Sequence, residues 1–263
     1  MQFAFDLISD LHIDTWNQKF DWTGQATSPH CVVVGDLCRD RDDLVHCLYH
    51  LSKCYQAVFY IDGNNEHDLY MNDLAGSYKD LVYRISTIPN VVYLQDNVVV
   101  VNGVAIVGTN GWWTFDFDMG LNAEQSMLWY KDKAQISTET LLDIRRAATT
   151  DANYMMSSIK RLQTHQDVKK IVVVSHTVPR ADLIEHDIGL DGSMRFNVMG
   201  NNLMQHVLDF DTQNKMHTWC FGHYHGKIDQ VREGVRYVNN CRGRGDTPHS
   251  QWVYYPLRVT VDF

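Results

Sequence analysis

Short apolar runs recur along the chain, and several end at a residue whose side chain offers an oxygen or nitrogen donor. One covers residues 31–34 and stops at Gly35 and Asp36. Its three consecutive Val residues favour a strand buried on both faces. The glycine permits a sharp turn at the strand's end, so Asp36 would project from the carboxyl edge of a sheet. Similar runs at 3–9, 57–62, 171–175 and 218–221 lead to Asp10 and His12, to Asn64, to His176, and to His223 and His225.

The segments between these runs alternate helical and strand-like patterns. Residues 40–51 begin acidic and continue with apolar residues at helical spacing, and a second helix is predicted around 70–86. Asn102-Gly103 separates two Val-rich runs and predicts a β-hairpin. We expect one α/β domain over residues 1–263 with a helical cap inserted at about 110–166. Further strands are predicted at 91–94, 97–101, 104–108, 170–175, 217–221, 235–239 and 252–261, with a helix near 198–209.

Composition narrows the classes of function. The 263 residues are 44% hydrophobic and 21% charged, which is ordinary for a soluble globular domain with a large core. A formal net charge of -9 argues against general affinity for nucleic acid or an anionic membrane. The six cysteines form no CxxC pair, and the chain opens directly into a strand pattern without a secretion signal or a membrane-spanning apolar window. We therefore expect reduced thiols and a cytoplasmic location.

Donor residues at several strand ends predict a metal centre. Alternate residues of an extended chain face the same way, so Asp10 and His12 share a side, as do His223 and His225. Either pair alone occurs by chance in many proteins, but five ordered donor positions are poorly explained by chance. Carboxylates, an amide and several imidazoles suit two Mn²⁺, Fe²⁺ or Zn²⁺ ions better than Ca²⁺ or Mg²⁺, with Mn²⁺ favoured. Two such ions about 3.5–4 Å apart catalyse in-line displacement at phosphorus, with Asp36 as the predicted bridge.

The order of these residues resembles the calcineurin-like metallophosphoesterase superfamily, whose pattern is D-x-H, G-D, G-N-H-[DE], H and G-H-x-H. The resemblance implies a four-layer α/β/β/α sandwich with two central mixed sheets. It also implies phosphate ester hydrolysis by attack of a metal-bridging hydroxide. One metal would be held by Asp10, His12, Asp36 and His225, and the other by Asp36, Asn64, His176 and His223. The corresponding blocks here are Asp10-Leu-His12, Gly35-Asp36, Gly63-Asn64-Asn65-Glu66, His176 and Gly222-His223-Tyr-His225.

The chain departs from this pattern at residue 65. Many members have a histidine there that acts as general acid or steadies the phosphoryl oxygens, whereas this chain has Asn65. An amide cannot give a proton to an alkoxide, although it can hydrogen-bond a phosphoryl oxygen. His67 would restore a near-neutral acid if its loop were reshaped, and a solvated loop position is the alternative. The missing acid favours a substrate with a good leaving group, such as a pyrophosphate or an aryl ester.

Substrate contacts are predicted for four residues. Arg39 follows the bridging Asp36 closely, and Trp112 begins an aromatic pair that could stack on a nucleobase. In the superfamily, the loop after the last core strand returns to the metals, which would place Arg242 and Arg244 near a phosphate. A surface position at the start of a helix for Arg39, burial for Trp112 and a plain turn for the two loop arginines are the alternatives.

We expect a phosphodiesterase acting on a small, nucleotide-like phosphorylated substrate without a membrane partner. A phosphomonoesterase or protein phosphatase remains open on the same centre, because fold and metals do not choose among them. A nuclease would need a basic groove, which the net charge disfavours. A catalytically silent binding scaffold is the alternative from another class, favoured by Asn65 and opposed by the retention of every ligand position.

Overall fold

In the part of the chain that the structure describes, the first sheet has five strands, four from residues 2–93 and one from the C-terminal end. The structure is a computed structural model that describes residues 2–17, 20–117, 123–185, 190–247, 251 and 253–263. Strands β1 to β4 pair in parallel, and the C-terminal strand β11 pairs antiparallel with β1. In sheet order these strands are β11 (Leu257–Asp262), β1 (Gln2–Ile8), β2 (His30–Val34), β3 (Ala57–Ile61) and β4 (Val91–Tyr93).

The second sheet is mixed. Its central strands β6, β7, β8 and β10 are parallel, and the edge strands β5 and β9 pair antiparallel with β6 and β10. Asn102 and Gly103 form the predicted hairpin turn, both at positive φ as a two-residue turn of this kind requires. In sheet order these strands are β5 (Asn97–Val101), β6 (Val104–Thr109), β7 (Lys170–Ser175), β8 (Met216–Cys220), β10 (Val235–Val238) and β9 (Asp229–Arg232).

Helices cover the outer face of each sheet. Among them, α1 begins where predicted, because the Asp40 carboxylate accepts the free backbone N–H groups of Asp42 and Asp43. The helix predicted around 70–86 starts at Leu74, since residues 65–73 form 3-10 turns, and the helix predicted near 198–209 is 3-10 as well. The helices are α1 (Arg41–Cys54), α2 (Leu74–Ile85), α3 (Ala123–Ala134), α4 (Thr138–Gln163) and α5 (Leu190–Phe196), and the 3-10 segments are Ile13–Thr15, Asn65–Asp73, Ala181–Leu183 and Asn202–Phe210.

Strand β2 shows why the layers stack as they do. Cys31 and Val33 face the helices α1 and α2, while Val32 and Val34 face the second sheet, and all four are fully buried. Alternate side chains point to opposite faces of a strand, so an unbroken apolar run requires cover on both sides. The fold is therefore the predicted four-layer sandwich, with helices outside and two sheets packed against each other.

The helix α4 serves two parts of the molecule. Its C-terminal half, including Met155 and Ile159, packs on the outer face of the second sheet. Its N-terminal half, including Leu141 and Ile144, packs instead on the aromatic segment at Trp112, which lies above the carboxyl edge of the sheets. Within the described ranges, no helix is long and apolar enough to cross a membrane.

Candidate metal centre

The loops that follow β1, β2, β3, β7 and β8 meet at one edge of the two sheets. Asp10, His12, Asp36 and His223 all have positive φ, between 43° and 62°. Few residues other than glycine adopt this region, and such strain gathers at functional sites, where neighbouring contacts hold it. Two of these contacts are the backbone N–H groups of Asp10 and His12, which donate to the carbonyls of Gly35 and Asp36 at 3.0 Å.

One donor set surrounds His12. Ligand atoms of Asp10, His12, Asp36 and His225 all lie within 4.8 Å of one another. The Nε2 atoms of His12 and His225 are 3.0 Å apart, and His225 Nε2 is 3.3 Å from Asp10 Oδ1. These spacings suit neighbouring ligands of one divalent ion, whose metal–ligand distances are about 2.0–2.2 Å.

A second donor set surrounds His176 and shares Asp36 with the first. Ligand atoms of Asp36, His176 and His223 again lie within 4.8 Å of one another. His176 Nε2 is 3.4 Å from Asp36 Oδ1 and 3.3 Å from Asn64 Oδ1, while Asp36 Oδ2 faces His12 Nε2 at 3.7 Å. The two oxygens of Asp36 thus face different imidazoles, an arrangement that suits a carboxylate shared by two ions.

Hydrogen bonds fix which nitrogen of each imidazole is free. His176 Nδ1–H donates to the Val34 carbonyl at 2.9 Å, which leaves Nε2 as the electron-pair donor. His223 Nε2–H donates to the Val198 carbonyl at 3.0 Å, which leaves Nδ1. Metal-binding histidines normally have such outer partners, because these hold the tautomer and the ring orientation. Each ring therefore presents its other nitrogen to the donor set.

Close approach at this edge depends on glycine. A Cβ on Gly35, which has a φ of +74°, would lie 2.5 Å from the Gly63 nitrogen and 2.6 Å from His176 Nδ1. A Cβ on Gly222 would lie 2.6 Å from Asp10 Oδ2. The glycines of the sequence blocks therefore let the donor loops touch, in addition to permitting the turns.

Glu66 joins two of the loops, although the sequence assigned it no role beyond its place in a motif. Its carboxylate is fully buried and accepts the N–H groups of Asp36 at 3.0 Å, Leu37 at 2.7 Å and Gly63 at 2.9 Å. Burial is the main cause that raises the pKa of Glu66 to about 8, and the nearby charge of Asp36 raises it further. The backbone hydrogen bonds act in the opposite direction and lower it. An acidic residue two places after Asn64 was the available sequence signal.

The electrostatics of the site fit divalent cations. Burial lowers the pKa of both His12 and His223 to about 3, so both rings are neutral ligands. Burial and the charge of Asp10 raise the pKa of Asp36, since two carboxylates crowd one dry pocket. Neutral imidazoles and crowded carboxylates converging on shared points are a donor set for positive ions, and the residues present fit two of them.

The side chain of Asn65 contacts a metal-ligand candidate. It is 95% buried, and its amide nitrogen Nδ2 lies 2.6 Å from His12 Nδ1. With His12 Nε2 directed at the donor set, Nδ1 carries the proton, and the amide oxygen of Asn65 accepts it when the amide plane is turned to present Oδ1. Its predicted contact with a phosphoryl oxygen stays a prediction, and the contact present is to His12.

His67 contacts protein groups on both ring nitrogens. Its Nε2 is 2.8 Å from Asp62 Oδ2 and its Nδ1 is 2.8 Å from Ser77 Oγ, and the ring is fully buried. Both nitrogens are thus occupied by protein partners. His67 braces the turn that carries Asn64, since its backbone N–H also donates to the Asn64 carbonyl at 3.0 Å.

Two of the predicted substrate-contacting residues, Trp112 and Arg39, are engaged with other protein groups. Trp112 is fully buried and donates its indole N–H to the Tyr78 hydroxyl at 2.7 Å, so it presents no exposed face for stacking. Arg39 is 38% exposed and pairs with Asp68 at 3.2 Å.

The loop of Arg242 and Arg244 does return to the donor edge. The backbone N–H of Arg242 donates to the Ser9 carbonyl and that of Gly243 to the Asp10 carbonyl, both at 3.0 Å. The Arg242 guanidinium lies 3.8 Å over the Trp16 ring, and Arg244 pairs with Asp246 at 3.2 Å. Burial is the main cause of the low pKa of His12, and the positive charge of Arg244 makes a smaller contribution in the same direction.

Together, the two packed sheets and their outer helices form the four-layer fold that the resemblance to the calcineurin-like metallophosphoesterases implied, and solved structures share this fold. Phosphopantetheinyl hydrolase (PptH) from Mycobacterium tuberculosis is similar, with a TM-score of 0.67 and 18% identity over 91% of this chain and 89% of that one. A dimetal phosphatase from Danio rerio has a TM-score of 0.53 and 11% identity over 97% and 91% of the two chains. At these identities the likeness concerns the fold. Neither protein-family models nor curated proteins gave a match.

Proposed function

We propose that this chain is a dinuclear metal-dependent phosphoesterase. The observation that carries the proposal is the pair of donor sets that share Asp36, because two adjacent cations joined by one carboxylate are suited to displacement at phosphorus. Asp10, His12 and His225 would complete one site, and Asn64, His176 and His223 the other. The structures similar in fold include proteins named as a phosphopantetheinyl hydrolase and a dimetal phosphatase, which agrees with the proposal.

The residues of this chain set the geometry of the reaction. When bound, two divalent ions would supply a water of lowered pKa as nucleophile and neutralise charge on the phosphoryl oxygens. Val34 and Val198 hold His176 and His223 through backbone carbonyls, and Glu66 holds the turn at Asp36. Such preorganised groups reduce the rearrangement needed as charge develops in the transition state. Mn²⁺ is the proposed metal, since the donors mix oxygen with imidazole.

We propose a small phosphodiester or nucleotide-like ester as the substrate, in preference to a monoester. The amide of Asn65 is engaged with His12, and both nitrogens of His67 are engaged elsewhere. Neither residue therefore offers a free acidic proton to a departing alkoxide, which favours a leaving group of low pKa such as a phosphate or a phenolate. The six cysteines are free thiols, which supports a cytoplasmic location.

The test is hydrolysis by metal-stripped protein resupplied with Mn²⁺. An aryl phosphodiester and an aryl phosphomonoester would be compared for the wild type, for Asp36→Asn and for the exposed surface control Asp143→Asn. We expect diester hydrolysis by the wild type and the control. Asp36→Asn should lose activity and at least one metal per chain while its circular dichroism stays unchanged. A fully metallated, active Asp36→Asn protein would contradict the assignment.

A silent binding scaffold is a second candidate, favoured by one observation. Asn65 replaces an expected imidazole and turns its amide toward His12 instead of the open face of the centre. Such a protein would bind two Mn²⁺ ions per chain and hydrolyse neither aryl ester. The same reconstitution experiment therefore separates the two candidates.

A further inference from the structure

We propose that Tyr130, on α3 of the segment above the metal centre, donates its hydroxyl hydrogen to a phosphoryl oxygen of the bound substrate. This inference rests on the proposed phosphoesterase function and adds a substrate-contacting residue to it. Tyr130 would thereby make the phosphoryl contact that a histidine at position 65 was expected to make. This assignment follows from the position of the Tyr130 ring, from the absence of a hydrogen-bond partner for its hydroxyl among the described residues, and from the engagement of Asn65 and His67 with protein partners.

Aromatic contacts connect Tyr130 to the donor edge. Its ring lies edge-on to Trp113 at 5.3 Å and to Phe115 at 5.8 Å. Trp113 in turn stacks on the His223 imidazole, with ring centres 5.5 Å apart and planes 20° from parallel. A single layer of side chains thus separates the Tyr130 ring from a metal-ligand candidate. These contacts fix the ring in position, as a substrate-contacting group requires.

Acidic residues of the centre influence the Tyr130 hydroxyl. Its pKa is raised first by burial, then by the negative charges of Asp68 and Asp36. Asp36 is the carboxylate shared by the two donor sets, and Asp68 lies three residues after Asn65 in the sequence. A raised pKa keeps the phenol protonated near neutral pH, and a protonated phenol is a hydrogen-bond donor.

This hydroxyl makes no hydrogen bond to the part of the chain that the structure describes, and it is not among the enclosed polar atoms of that part. By contrast, the nearby Tyr78 hydroxyl accepts the indole N–H of Trp112, and the Tyr93 hydroxyl donates to Asp62 at 2.6 Å. The Tyr130 hydroxyl therefore keeps an open side for a hydrogen-bond partner from solution. A phosphoryl oxygen in the centre would supply one for Tyr130.

Several other candidate donors near this face contact protein partners, whereas Arg242 Nε and Trp113 Nε1 are buried without a hydrogen-bond partner within the described ranges. Asn65 contacts His12, and His67 is held by Asp62 and Ser77. Arg39 and Arg244 are half-exposed and paired with Asp68 and Asp246. Among these candidates, Tyr130 is the group with a free O–H. Its place on a segment outside the sequence blocks explains why motif reasoning did not identify it.

The test compares Tyr130→Phe with wild type and with Tyr83→Phe, whose ring is exposed on α2. The phenylalanine keeps the contacts with Trp113 and Phe115, so we expect unchanged melting temperature and Mn²⁺ content. We expect kcat/KM for the aryl diester, and affinity for inorganic phosphate measured by calorimetry on Mn²⁺-loaded protein, to fall by on the order of 10- to 100-fold. The ratio to wild type should be constant from pH 6 to 9, because a phenol that stays protonated loses no donor capacity.

The outcomes separate this inference from the proposed function. Wild-type protein that hydrolyses neither ester but binds phosphate more tightly than Tyr130→Phe would contradict the proposed function and support the donor role. Equal kcat/KM and equal phosphate affinity in the two proteins would overturn the donor role while leaving the proposed function intact. A loss of metal or of melting temperature in Tyr130→Phe would also overturn it, since the effect would then be structural. Phosphate binding by neither protein would overturn it as well.

Discussion

Replacing Glu66 by glutamine should loosen the metal centre without touching a ligand. The Glu66 carboxylate accepts three backbone N–H groups, two on Oε2 from Asp36 and Gly63 and one on Oε1 from Leu37. Glutamine has one carbonyl oxygen, which can serve the first two. Its NH₂ group would then face the Leu37 N–H, donor against donor. The loop of the bridging Asp36 would lose one of its anchors.

The size of the effect follows from that one unpaired group. A buried N–H without an acceptor costs about 1–3 kcal/mol, and loss of the carboxylate's charge is partly offset because burial already disfavours that charge. For a chain of this size we expect a fall in melting temperature of about 3 to 10 °C. Since outer partners of metal ligands are typically worth 10- to 100-fold in metal affinity, we expect Mn²⁺ binding to weaken by about that factor.

The assay is thermal unfolding together with calorimetric Mn²⁺ titration of metal-stripped protein. Glu139→Gln is the matched control, because that side chain is exposed in the first turn of α4, and it should shift neither quantity measurably. Glu66→Gln protein with wild-type melting temperature and wild-type Mn²⁺ affinity would refute the reasoning. It would mean that the loops hold their positions without the three hydrogen bonds.

Three further predictions concern the fold and the centre. Burial raises the pKa of Asp151 from 3.8 to about 7, so between pH 4 and 7 this carboxyl group ionises only in the unfolded state. The unfolding free energy of wild type relative to Asp151→Asn should therefore fall as the pH rises through this window, by on the order of a few kcal/mol in denaturant titrations. Gly35→Ala should abolish Mn²⁺ binding and lower the melting temperature sharply, because its Cβ would meet Gly63 and His176. The control Gly24→Ala, at a φ of +77° with no described atoms near its Cβ, should show only the smaller cost of backbone strain. Equal losses of melting temperature in the two variants would contradict this prediction. Removing metal with a chelator should lower the melting temperature, and excess Mn²⁺ should restore it, whereas a melting temperature insensitive to both would argue against ions at these donors.

The sequence predicted the sheets and their donor ends because both depend on local patterns. Strand β7 was predicted at 170–175 and spans Lys170–Ser175, since an apolar run bounded by polar residues specifies a buried strand with little ambiguity. The hairpin at Asn102 and Gly103 was also predicted from a local pattern, because its two-residue turn needs positive φ at both residues. The helix expected near 198–209 is a 3-10 helix over Asn202–Phe210. The pattern could not distinguish the two helix types, because apolar residues spaced three and four apart suit either one.

The partners of the donors were not predictable, because they come from distant parts of the chain. His176 is held by Val34, and His223 by Val198, in both cases through a backbone carbonyl that any residue type would offer. Residue identity carries no signal for such a contact. The same holds for Tyr130, whose relation to the centre depends on how α3 packs against Trp113.

Asn65 shows where a motif and a structure answer different questions. The motif identifies Asn65 as the loss of an imidazole, which by itself argues for reduced catalysis or for a scaffold. The structure shows that the side chain is buried against His12, so the substitution also adds an outer partner to a ligand. If this contact holds His12 in place, Asn65→Ala should weaken Mn²⁺ binding, whereas Asn65→His would compete for the same space. The residue is then better understood as part of the metal site than as a degraded acid, and the search for the substrate's hydrogen-bond donor moves to the segment above the centre.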